Sequence, residues 1–193
     1  MDAGFLSVFF ASFVTLFIVI DPIMVAPLFA ALTHGEEKKS QRQTAIQAAT
    51  IAALILLGFA FFGSFLLHHL GIDIAAFRAA GGLLLFLIGF RMFFEPDSEM
   101  EAKRPGPKAS SRDNVAFFPL AIPMLAGPGA IATIMLLMNA QPDAAAADVL
   151  ITRIAVISAT LVTLAIGIVI MMFSSAIANA LGRTGMNTVS RLL

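Results

Sequence analysis

From Ala45 to Leu67 the chain carries no charged side chain, and about 20 such residues suffice to cross the hydrocarbon core of a bilayer as a helix. Four further stretches pass the same test: Ala3 to Thr33, whose only charge is Asp21; Ile74 to Phe94, with Arg78 and Arg91 near its ends; Val115 to Gln141; and Ile154 to Gly182. Hydrocarbon offers no water to the backbone, so stretches of this kind must close their hydrogen bonds internally as helices. Composition agrees, since 59% of the 193 residues are hydrophobic and 12% are charged. The expected fold class is all-α, a polytopic helix bundle surrounded by the lipid bilayer. The residues after Arg183, Thr-Gly-Met-Asn-Thr-Val-Ser-Arg-Leu-Leu, are too few and too polar to span and are expected to begin a sixth helix that is truncated.

Two of these stretches contain proline pairs at the same interval, Pro22 with Pro27 and Pro123 with Pro128. Proline removes a backbone donor and clashes with the preceding turn, so both stretches are expected to be broken helices. Breaks inside a membrane are tolerated where protein or a wet cavity surrounds them, and matched breaks in two halves point to the solute site of a transporter. A second, weaker match joins Phe77-Arg78-Ala79-Ala80 to Ser190-Arg191-Leu192-Leu193. Together these suggest two diverged three-helix repeats, residues 1–94 and 114–193, separated by the aqueous linker 95–113 with its mixed charges and prolines.

The basic residues set the orientation. Ten of the 12 lie after the first, third and fifth stretches, and only Arg78 and Arg153 lie on the other side. Short basic loops remain cytoplasmic, which places the amino terminus outside and makes the repeats inverted. The amino terminus lacks the basic leader of a signal peptide and is expected to stay as the first helix.

Several function classes are disfavoured. The absence of cysteine removes thiol chemistry and thiolate metal sites. Zero net charge without a basic, aromatic-lined stripe gives nucleic acid no footing. Ser174 and Ser175 have no recognisable histidine base, and no paired catalytic groups are visible, so the chain is not expected to be an enzyme. His68 and His69 beside Asp73 read as interfacial residues, and no metal or cofactor is expected.

Asp21-Pro22 with Pro27-Leu28-Phe29, Phe77-Arg78-Ala79-Ala80-Gly81-Gly82, and Pro119-Leu120-Ala121-Ile122-Pro123 with Ala126-Gly127-Pro128-Gly129-Ala130 occur in an order that resembles the MarC family of bacterial inner-membrane proteins. The resemblance covers nearly the whole chain. It implies a multi-pass inner-membrane protein of six helices in two inverted halves. Some members resemble transporters of small neutral amino acids such as glycine and alanine.

A substrate site can be sketched on these residues. A half-helix opening at Pro22 or Pro128 aims unpaired N–H groups and a positive dipole end at a carboxylate, while carbonyls freed near Pro27 and Pro123 accept from an ammonium. Gly127 and Gly129 permit close backbone approach, and Thr15, Thr33, Thr133 and Asn139 offer neutral hydrogen bonds. The expected ligand is a small zwitterionic solute. Asp21 costs about 2.5 to 3.5 kcal/mol to insert at the bilayer centre and is the candidate proton-coupling residue; the plainer alternative makes it an N-cap of the following helix. Arg78 and Arg191 are candidate gating residues, against a plainer snorkelling role. Other readings are an ion or divalent-cation channel or carrier, and a non-transporting structural or stress-associated subunit. A homo-oligomer is left open.

Overall fold

The computed structural model describes residues 3–33, 35–73, 75–77, 79–80, 82–83, 86–87, 115–140 and 145–192, with the backbone alone at 3, 146 and 175–192. The linker 95–113, the gating candidate Arg78 and most of the expected third span lie outside the described residues. The helices with both ends among the described residues are α1 (Ala3–Ile20), α2 (Pro22–Leu32), α3 (Lys38–His69), α4 (Ala116–Leu125), α5 (Pro128–Met138) and α6 (Ala146–Leu192). Gly4–Leu32, Lys38–His69 and Ala147–Ser174 are each long and apolar enough to cross a membrane. The pair α4 and α5 qualifies as a fourth span, bent by 53° at its break. The chain is thus a helical membrane bundle, with no strand among the described residues.

The first apolar stretch folds as two helices because Asp21 adopts the left-handed region, φ 46° and ψ 65°. Pro22 then takes the first position of α2, where its missing N–H costs nothing. Pro27 lies inside α2 and does not interrupt it. The fourth stretch behaves differently. Phe118 and Ile122 are extended, φ/ψ −131°/126° and −123°/125°, as expected for residues crowded by a following proline. Both peptide bonds into Pro119 and Pro123 are cis. The result is a wide, irregular α4 that ends at Ala126, after which Pro128 opens α5.

Pro22 and Pro128 thus each head a helix of 11 residues. The last helix departs from expectation. It starts at Ala146, eight residues before Ile154, and continues through Arg183 to Leu192. Alanines at 146 and 147 extend it backward because alanine has the best helix propensity, and no break near Arg183 separates a sixth helix from a fifth.

Packing is led by cross-half contacts. α1 lies against α6, and α3 against α4; α2 lies against α6, and α3 against α5; α1 touches α5, and α2 touches α4. α3 and α6 pack on each other. The core between them is small and apolar, including Ala45, Ala48, Ala52 and Leu56 of α3, Ala116, Leu120 and Ala121 of α4, and Val156 and Ala159 of α6, all fully buried. Large apolar residues such as Phe10, Ile18, Leu54, Phe61, Phe62 and Phe173 are turned outward, an arrangement that suits contact with lipid.

Candidate functional site

Both half-helices are tied to α3, at opposite ends. The Gln41 side-chain amide donates to the carbonyl of Thr33 at 3.1 Å, fixing the carboxyl end of α2 beside the first turn of α3. The Ser64 hydroxyl donates to Asn139 Oδ1 at 2.9 Å, fixing the carboxyl end of α5 beside the last turns of α3. Eleven residues of helix rise about 16 Å, and the 32 residues of α3 about 48 Å. Each half-helix is thus held by its carboxyl end, while along its length α5 packs against α3 and α2 against α6.

The ends differ in chemistry. At α2, Asp21 accepts from the Met24 N–H at 3.3 Å and is half-buried, while its own N–H closes α1 by donating to the Phe17 carbonyl at 3.0 Å. Asp21 is thus an N-cap, as in the plainer reading, and it also sits inside the 29-residue span Gly4–Leu32 rather than at its edge. Pro22 is buried, and a side chain at Gly167 of α6 would meet it at 3.6 Å.

At α5 the cap is Gly127, in an extended conformation with φ −75° and ψ 166°, and no side chain caps the helix. A Cβ at Gly127 would lie 2.4 Å from the Pro123 carbonyl oxygen, a backbone atom that cannot move aside. Only glycine lets the chain fold this tightly from α4 into α5. Gly129 is buried in the first turn, whereas Pro123 and Pro128 are exposed. A helix start without a cap leaves early N–H groups without intrahelical partners.

The hydroxyl-bearing candidates separate clearly. Thr15 donates to Ala11 and is exposed; Thr33 donates to Phe29; Asn139 donates to the Met135 carbonyl and accepts from Ser64. All three are engaged in structure. Thr133 is 3% exposed and its hydroxyl has no hydrogen-bond partner. It lies one turn after Gly129, and helical side chains tilt toward the amino terminus, so it leans toward the open end of α5. Pro27 stands within α2, half-buried, away from the helix start. For Arg191 only the backbone is described. Among the described residues no group of three or more His, Cys, Asp or Glu is placed to hold a metal ion.

Sequence reasoning missed Ser64, Gln41, Thr44 and Pro119. The last had a usable signal, since Pro119 and Pro123 are four residues apart and each forces its predecessor out of the helical region. The Ser64 to Asn139 bond joins residues 75 apart and leaves no local trace.

Residues 6–193 match the family described as MarC family integral membrane protein. This chain belongs to the MarC family. A UPF0056 membrane protein of Archaeoglobus fulgidus is 36% identical over 191 residues, covering 99% of this chain and 87% of the relative. The UPF0056 membrane protein YvbG of Bacillus subtilis is 32% identical over 184 residues, covering 94% and 84%. A UPF0056 membrane protein of Aquifex aeolicus is 31% identical over 185 residues, covering 95% and 84%. No solved structure matches this MarC chain.

Proposed function

We propose that the chain is a secondary transporter of small neutral amino acids such as glycine or alanine, with no enzymatic activity, which binds its solute between the two helix breaks. The observation that carries this reading is the pair of proline-headed half-helices, each anchored by its carboxyl end near an opposite end of α3. One brings its own carboxylate, Asp21, and the other presents an uncapped start. An uncapped helix start favours an anion through its free N–H groups and its dipole. The α-carboxylate of the solute fits there, beside Gly129 and the unpartnered hydroxyl of Thr133. Its ammonium group is complemented by Asp21 and by the carbonyls that Pro119 and Pro123 leave without helical donors.

The cross-half packing pairs support a two-fold relation between α1–α3 and α4–α6, in keeping with inverted repeats, and the basic-loop distribution supports an external amino terminus in an inner membrane. Asp21 is the proposed proton carrier, and Arg191 with Arg78 the proposed gates at the two faces. Self-association is compatible with this scheme and not required by it.

The test is flux of labelled alanine and glycine into proteoliposomes, with and without a pH gradient. Saturable, gradient-driven uptake is expected. Replacing Gly129 by a bulky residue is expected to abolish uptake while the protein still inserts. No uptake by a monodisperse, helical preparation would overturn the reading.

A further inference from the structure

Among the described residues Thr133 is one of two buried hydroxyls without a partner; the other is Thr44 of α3, 2% exposed. Five other threonines solve the problem within their own helix: Thr15, Thr33, Thr50, Thr160 and Thr163 each donate to the carbonyl four residues earlier at 2.7 to 2.9 Å. Thr44 forgoes that bond although its helix continues on both sides. It also shares one helix face with Ser40, which is buried, and Gln47, which is half-buried, at spacings of four and three residues. Three polar side chains are thus turned inward on a helix whose outward face carries Ile46, Leu54 and Phe61.

Thr44 stands about two turns inside the start of α3, which follows the basic loop, and Thr133 stands in the second turn of α5. A hydroxyl taken from water without a new partner costs about 1 to 3 kcal/mol in proteins, and a polar recess with room for water removes that cost.

We propose that the Ser40, Thr44 and Gln47 face of α3 lines a water-filled vestibule that connects the basic side of the membrane to the helix breaks. At its mouth the Ser40 hydroxyl donates to the Glu36 carboxylate, while Thr44 and Gln47 beyond it are a neutral hydroxyl and amide, so the inner part admits water and uncharged or zwitterionic solutes. Water access at Thr44 is independent of which solute is carried.

The chain has no cysteine, so Thr44→Cys provides a single thiol. Thr50→Cys, exposed on the outer face of the same helix, is the lipid-facing control. In reconstituted protein a charged, membrane-impermeant thiol reagent is expected to modify Thr44→Cys about ten-fold faster than Thr50→Cys, because hydrocarbon excludes the charge. Equal, negligible rates at both positions in variants that keep the parent melting temperature would overturn the vestibule. A second variant covers the chance that cysteine perturbs packing. Thr44→Val is expected to leave the melting temperature unchanged or lower, since a hydrated hydroxyl loses its water partner; a clear rise would mean a dry, unsatisfied group and would also overturn it. Slowing of modification by glycine or alanine reads on the transport proposal alone: labelling without protection keeps the vestibule and removes those solutes.

Discussion

The two half-helices α2 and α5 have the same length and the same proline at their first position, yet they solve the problem of their free amino-terminal ends in opposite ways. α2 is closed by a carboxylate from its own chain, and α5 is left open behind a glycine that cannot be replaced without striking the Pro123 carbonyl. Similar secondary structure therefore carries unequal chemistry, and the difference is what the proposed function uses to tell a structural end from a binding end.

The comparison is broken most severely at the glycine. Gly127→Ala forces a Cβ to within 2.4 Å of a backbone oxygen, so the α4–α5 corner must open; loss of flux and a fall in stability of about 3 kcal/mol or more are expected, measured by uptake and thermal unfolding. Gly63→Ala is a milder contrast, because its Cβ would meet only the flexible side chain of Met135.

At the other end, Asp21→Asn retains a cap and tolerates the left-handed backbone, so the fold is expected to persist while uptake ceases to respond to a pH gradient. Unchanged gradient dependence would remove the proton role. Asp21→Ala should lose the cap as well, at about 1 kcal/mol, which a denaturation midpoint would register. Thr133→Val sharpens the contrast further. It removes an unpartnered hydroxyl, so the melting temperature should hold or rise while glycine uptake falls about ten-fold, the loss of one hydrogen bond of roughly 1.4 kcal/mol. The smallest effect is expected for Ser64→Ala, which releases Asn139 and should cost about 1 kcal/mol.

Much of this bundle is legible in the sequence because hydrocarbon leaves the chain so few options. The charge-free runs locate α1–α2, α3, α4–α5 and α6, and the prolines announce that two runs are interrupted. Asp21 stands out as the one charge in its span. The sequence places helix openings at Pro22 and Pro128 but does not reveal how Pro27 and Pro123 are accommodated. Pro22 and Pro128 follow residues with non-helical backbone and open helices, whereas Pro27 is absorbed into α2; the outcome depends on the residue before the proline and on the packing around it. Nor can spacing distinguish Thr133 and Thr44 from threonines that bond to their own helix, since the choice between those states is made by neighbours distant in sequence.

The anchoring of both half-helices to α3 has a mechanical consequence. Gln41 holds Thr33 at one end and Ser64 holds Asn139 at the other, so a slide of α3 along its own axis draws one half-helix away from the centre and drives the other toward it. Retraction at one face of the membrane is thereby geared to advance at the opposite face, as the two arms of a balance are geared by a single beam.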